Sequence, residues 1–174
     1  EVLLRGICPS DLKVPLEEFQ KAGAAVEADE KNRQIRICMG KRPLPLLIKT
    51  EPYPGFPTDL QSPFMAFLAT AQGTSYIEEQ VFEGRFATAK ILEQMGAVIR
   101  TEDQRAVIEG HYHLKGAAVN ACDLRGGAAL MVAALAAEGD TFIGECHHIE
   151  RGYEDICRDM AALGAHIRWV GKDS

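Results

Sequence analysis

The chain has 174 residues, 47% of them apolar, and a formal net charge of −6, which suits one globular domain (residues 1–174) with a sizeable core. No basic stripe with interleaved aromatics and no apolar run long enough to cross a bilayer is present, which argues against nucleic acid and membrane as partners. Five scattered cysteines (Cys8, Cys38, Cys122, Cys146 and Cys157) without a CxxC pair suggest reduced thiols and a cytoplasmic protein. Glu1 leads into a strand-like run without a secretory leader, and the lack of an initiator Met suggests an upstream segment.

In chain order, Val2 to Ile7 reads as a strand and Asp11 to Ala22 as a helix capped by Ser10. Ala24 to Ala28 and Gln34 to Met39 form a predicted hairpin around Lys31 and Asn32. Leu46 to Thr50 is a short strand, followed by the proline-rich loop Tyr53 to Pro57. Asp59 to Ala71 is a predicted helix stopped by Gly73, Thr74 to Glu78 a strand, and Thr88 to Met95 a helix ended by Gly96. Ala97 to Thr101 and Ala106 to Glu109 form another hairpin. Then follow strand Ala117 to Ala121, helix Leu124 to Ala137, strand Thr141 to Gly144, helix Glu154 to Leu163 and strand Ala165 to Val170.

This order repeats. KAGAAVEA, QMGAVIRT and ALGAHIRW each place a Gly-Ala (at Gly23, Gly96 and Gly164) between a helix and a strand. DLQSPFMAFLATAQGTSYI and DLRGGAALMVAALAAEGDTFI match from Asp59 and Asp123 onward. The expected fold is α/β (α+β), built from βαβαββ units at about 1–40, 44–110 and 115–170. The first unit shows no opening strand and helix and the third no final strand, which suggests a piece of a longer protein.

Charged residues gather at helix starts. The three prolines and one glycine of Tyr53–Pro57 predict a stiff, extended loop that ends in Thr58-Asp59. Such a pair is a helix N-cap signature, so Asp59 reads either as a cap or as a site carboxylate delivered by a rigid loop. Asp123 holds the matching place in the next unit, with Arg125 two residues on beside Gly126 and Gly127. FEGRF carries Glu83 and Arg85, and IERGY carries Glu150 and Arg151 ahead of the last helix, near its N-terminus. Arginines at converging helix N-termini would make an anion pocket, and a carboxylate beside it is a general-base candidate. Each arginine alone reads first as a solvated surface charge, and their recurrence at matching points of the repeated units is what argues for a site.

Cys146, His147 and His148 are adjacent and lack a second ligand pair, so they argue against zinc. His111 and His113 share one face by simple alternation around Tyr112. Gly126-Gly127 is followed by no Lys-Ser/Thr and is not a P-loop.

PGFPTDLQ, FEGRF, DLRGGAAL and HIERGYEDI, in this order, resemble the C-terminal half of the UDP-N-acetylglucosamine 1-carboxyvinyltransferase family of enolpyruvyl transferases. The likeness runs from Val2 to Val170. It implies an inside-out α/β barrel domain, a partner N-terminal domain of the same chain across an active cleft, and no cofactor or metal. It also implies transfer of the enolpyruvyl group of phosphoenolpyruvate to the 3′-hydroxyl of UDP-N-acetylglucosamine, in peptidoglycan synthesis. By the same resemblance, Asp59 is the base at the sugar hydroxyl, Val81 a UDP-N-acetylglucosamine contact and Arg151 a phosphoenolpyruvate contact. Asp123, Leu124 and Arg125 match the family's Asp-Leu-Arg loop, and Arg85 the arginine of its Phe-Glu-Asn-Arg-Phe motif. Asp59, Asp123 and Arg151 are thus the candidate catalytic residues; Asp59, Val81, Arg85, Leu124, Arg125 and Arg151 the candidate substrate contacts.

Two departures stand out. Gly84 takes the place of an asparagine and Gly126 that of an alanine-like residue, and both are expected to loosen the backbone beside an arginine. The family's lysine–asparagine pair and mobile-loop cysteine have no counterpart in the chain, so the chain is expected to be inactive alone. Alternatives are the shikimate-phosphate enolpyruvyl transferase or a non-catalytic paralogue of the same fold.

Overall fold

A computed structural model describes residues 1–111 and 113–171; Tyr112 lies outside the described residues. Strand β1 (Val2–Arg5), helix α1 (Lys13–Lys21) and the hairpin β2 (Ala25–Asp29) and β3 (Gln34–Cys38) form an antiparallel sheet in the order β1-β3-β2. The Asp29 carboxylate fixes the hairpin turn by accepting from the Asn32 amide at 2.9 Å and its side chain at 2.7 Å. Helix α1 starts later than the sequence predicts, because Pro9–Leu12 forms a 3-10 turn first. Ser10 caps nothing; its hydroxyl lies 3.2 Å from the Cys8 thiol.

The second unit is complete. It runs β4 (Leu47–Lys49), a 3-10 turn Thr58–Leu60, α2 (Gln61–Leu68), β5 (Thr74–Glu78), α3 (Ala87–Gln94), β6 (Val98–Glu102) and β7 (Arg105–Glu109). Its sheet order is β4-β5-β7-β6, with β4 parallel to β5 across α2 and the other pairs antiparallel. Helix α2 ends at Leu68 rather than Ala71, and the Arg42 guanidinium takes the Thr70 and Ala71 carbonyls at 3.0 and 2.6 Å.

The third unit has β8 (Leu114–Lys115), β9 (Ala118–Asn120), α4 (Leu124–Ala136), β10 (Ala137–Glu138), β11 (Phe142–Gly144), α5 (His147–Glu150) and α6 (Ile156–Ala162). Its β9–β11 pair is parallel like β4–β5, and the first unit's β1-β3-β2 sheet repeats β5-β7-β6. Ala165–Val170 is not a strand. The second unit's β6 has β7 beside it, but no described segment follows Gly171 to pair with 165–170. Its apolar side chains pack instead of pairing: Ile167 and Trp169 lie against the core.

Helices α2 and α4 are apolar around most of their circumference and pack on each other, which places them inside the core. Met65, Leu68 and Leu130 are fully buried there. The second unit's sheet buries one face, carrying Ile48, Ile77, Ile99, Ala106 and Ile108. Helices inside and a sheet outside them make an inside-out α/β arrangement, and they bring the starts of α2, α3 and α4 to one end.

Candidate active site

The loop before α2 is doubled back, not extended. Glu51 donates its amide to the Phe56 carbonyl at 2.9 Å, and Gly55 to the Pro52 carbonyl at 2.8 Å; the Tyr53–Pro54 peptide is cis. A Cβ at Gly55 would stand 2.4 Å from the Glu51 Cβ, so the tight turn requires glycine. Phe56 anchors the loop by packing edge-on to Phe64 of α2, with ring centroids 4.9 Å apart.

Thr58 and Asp59 then cap nothing. They sit inside the 3-10 turn, whose N-cap is Pro57, and neither side chain bonds a helix amide. Asp59 Oδ1 instead accepts from Arg125 Nε at 2.8 Å and Arg85 Nη1 at 3.4 Å. The Arg125 hydrogen bond holds the Asp59 carboxyl below the usual aspartate range, and the nearby charges of Arg125 and Arg85 act in the same direction. The same hydrogen bond pushes Arg125 up. Arg85 also donates to Thr58 Oγ1 at 2.6 Å and lies 4.5 Å from the Phe82 ring centroid.

Beneath this cluster lies a residue that the motifs do not flag. Glu79 is fully buried, and its Oε1 accepts from Thr50 Oγ1 at 2.8 Å and the Val81 and Phe82 amides at 3.0 and 3.1 Å. Its Oε2 accepts from Thr58 Oγ1 at 2.9 Å. Strand alternation carries the signal: Glu79 continues the buried face of Ser75 and Ile77, an unusual place for a charge.

Asp123 is a cap. It precedes α4, and its Oδ1 accepts from the Gly126 amide at 2.7 Å. Gly126 is buried in the first turn, where a Cβ would stand 2.7 Å from Cys122 Sγ and 3.0 Å from Thr88 Oγ1. It fits a tight helix contact instead of loosening Arg125. Gly84 has φ +70 with nothing within 4 Å of an added Cβ. Asparagine and glycine are the residues that most readily adopt that conformation, so this departure keeps the backbone path. Leu124 packs at Gly152, where an added Cβ would stand 2.7 Å from its Cδ1.

Arg151 is not at a helix N-terminus. It is the C-cap of α5, exposed, and the structure gives its side chain no bond within the described residues. Helix α6 starts later, capped by Asp155, which accepts from the Arg158 amide at 3.0 Å.

Asp59, Val81, Arg85 and Arg125 thus converge on one open cleft of about 330 Å³, with Thr58, Tyr53 and Phe82 on its walls. Asp123, Leu124 and Arg151 stand outside its lining. A larger groove of about 480 Å³ between α1 and β4 gathers no arginines. Among the described residues, no group of three or more His, Cys, Asp or Glu side chains is arranged to hold a metal ion, and no helix is long and apolar enough to cross a membrane.

Over residues 1–160 the sequence matches the family of EPSP synthase (3-phosphoshikimate 1-carboxyvinyltransferase). It is 46% identical over 167 residues to a UDP-N-acetylglucosamine 1-carboxyvinyltransferase of Desulfofundulus thermocisternus, covering 96% of this chain and 68% of that protein. The chain belongs to the UDP-N-acetylglucosamine 1-carboxyvinyltransferases, within the EPSP synthase family. A second carboxyvinyltransferase, UDP-N-acetylglucosamine 1-carboxyvinyltransferase 3 of Symbiobacterium thermophilum, is 43% identical over 97% of this chain, which spans only 39% of its length. Among solved structures, the enolpyruvyl transferase NikO from Streptomyces tendae matches with a TM-score of 0.81 at 31% identity, over 90% of this chain and 36% of that one. The chain therefore spans about two fifths of the longer relative.

Proposed function

We propose that this chain forms one wall of the active cleft of a cytoplasmic transferase that moves the enolpyruvyl group of phosphoenolpyruvate to the 3′-hydroxyl of UDP-N-acetylglucosamine, for peptidoglycan synthesis. The observation that carries the reading is Asp59, held in an open cleft by arginines from two different segments. The reaction needs cations for a phosphate and a carboxylate, and a base at a hydroxyl. Arg85, Arg125 and, from outside the cluster, Arg151 supply the cations; Val81 and Leu124 contact substrate.

The chemistry is addition followed by elimination. The methylene carbon of the alkene gains a proton, the sugar oxygen bonds to the adjacent carbon, and Asp59 takes the hydroxyl proton. Phosphate then leaves with its bonding electrons as a methyl proton is removed, which restores the double bond. Asp59 is a weak base while both arginines hold it, so anionic phosphoenolpyruvate drawing Arg85 and Arg125 away would raise its basicity when the hydroxyl is in place. Asp123 keeps the α4 start, and so Arg125, in position.

The remainder of the cleft would come from an N-terminal domain, so the chain alone should release no phosphate above a no-enzyme control. A chimera in which this chain replaces the matching segment of a longer relative should release phosphate from phosphoenolpyruvate only with UDP-N-acetylglucosamine. Release with 3-phosphoshikimate instead would favour the shikimate reading, and a folded chimera without turnover would favour a non-catalytic paralogue.

A further inference from the structure

We propose that Glu79 is a positioning residue of the cleft, whose buried carboxylate fixes Thr58 as a hydrogen-bond acceptor for Arg85 and pins the turn that carries Phe82 beneath the same guanidinium. Its importance for turnover rests on the transferase reading above; the arrangement of Arg85 does not.

Four donors converge on Glu79: two threonine hydroxyls and two backbone amides. Only a carboxylate, an acceptor at both oxygens, satisfies all four. Thr58 has a single proton, and Glu79 Oε2 takes it, which leaves only lone pairs on that hydroxyl. Arg85 Nη1 donates into those lone pairs at 2.6 Å. The second route runs through the backbone. The Phe82 amide is held on Glu79 Oε1 while the Phe82 ring lies 4.5 Å from the Arg85 guanidinium carbon. Glu79 thus sets both contacts that orient Arg85 apart from Asp59 itself.

The fold does not demand this carboxylate. The strand registers make Ile77 equivalent to Ile143, so Glu145 is the counterpart of Glu79 and Ala121 that of Thr50. Glu145 is exposed, has φ +55, and pairs with His147 Nδ1 at 3.3 Å. The third unit therefore leaves its equivalent strand by a different turn, straight into α5, without a buried acid. The second unit alone carries the hydroxyls that make Glu79 a relay to an arginine.

Glu79→Gln tests this. Three donors converge on Oε1, so the glutamine oxygen belongs there and its NH2 group faces Thr58. Thr58 would then accept from glutamine and turn its own proton toward Arg85. Thr58→Val removes the relay while leaving Glu79 in place. In the isotope-labelled chain at low temperature, the Arg85 Nη1 signals should be resolved and slowly exchanging. Glu79→Gln and Thr58→Val should each collapse them, and the double variant should do no more than either alone. A residue that only stabilises the turn would lower the melting temperature and leave those signals intact, which would overturn the proposal. If Glu79→Gln fails to fold, Thr58→Val decides: retained Arg85 signals refute the relay and lost ones uphold it. In the chimera, Glu79→Gln should cut kcat/KM about 10²-fold, the cost of a misplaced catalytic group. Lost Arg85 signals with unchanged turnover would refute the positioning role and leave the transferase reading standing. An unsubstituted chimera without turnover would count against that reading alone.

Discussion

Helices α2 and α4 begin alike in sequence and differently in space. Each start follows a parallel-paired strand and reads Asp-Leu, at Asp59 and at Asp123. Asp123 is extended and accepts the Gly126 amide, a conventional N-cap. Asp59 lies in an added 3-10 turn, and its carboxylate reaches Arg125 and Arg85 instead. The repeat supplies a frame, and one added turn replaces a capping carboxylate with one held by two arginines. The arginines differ in the same way. Arg85 and Arg151 each lie six residues past the equivalent Glu79 and Glu145. Arg85 is bound to Thr58 and Asp59, whereas Arg151 holds nothing within the described fold.

The largest expected effect separates the two aspartates. In the chimera, Asp59→Asn should lower kcat about 10²–10⁴-fold, as loss of a general base does. Asp123→Asn should leave turnover within a few-fold, because asparagine caps as well as aspartate. Equal losses would erase the distinction. Next comes Arg151→Lys, which should raise the phosphoenolpyruvate KM at least ~10-fold by losing the planar two-point grip. Its melting temperature and UDP-N-acetylglucosamine affinity should stay unchanged, since Arg151 bonds nothing in the fold; a loss shared by both substrates would remove it from the anion site.

Stability sharpens the contrast further. At the α4 start an alanine Cβ at Gly127 would stand 2.4 Å from Cγ1 of the fully buried Ile149. Overpacking of that kind costs about 1–3 kcal/mol, offset by up to about 1 kcal/mol of helix preference, so Gly127→Ala should lose on the order of 1 kcal/mol in denaturant melts. Gly84→Asn, in open space at φ +70, should stay within about 0.5 kcal/mol of the parent. The smallest effect is an acid one. Asp59 has a lowered folded pKa, so its contribution is present above about pH 3.9, the unfolded value, and is lost as pH falls through the folded one. The unsubstituted chain should therefore lose more stability on acidification than Asp59→Asn.

Much of this frame is legible in the sequence, because the Gly-Ala marks and the Asp-Leu helix starts recur at comparable places in successive units. Strand β5 runs from Thr74 to Glu78 as periodicity predicts. Residues 165–170 show the limit: their apolar alternation serves packing through Ile167 and Trp169, and pattern alone does not supply a pairing partner. The motifs name Asp59, Arg85 and Arg125, but not which aspartate caps and which does not. That depends on a single turn of backbone, Thr58–Leu60, which the Thr-Asp pair disguises as an ordinary helix start. Glu79 was readable only by following β5 one step past its end on the buried face.

The most direct test is the titration of the Asp59 carboxyl carbon by NMR in this chain, without substrate. The arginine-held carboxylate should titrate below the ordinary aspartate value of about 3.9, and Arg125→Gln should move it up toward that value. An Asp59 that titrates at the ordinary value in the unsubstituted chain, or that ignores the loss of Arg125, would contradict the account.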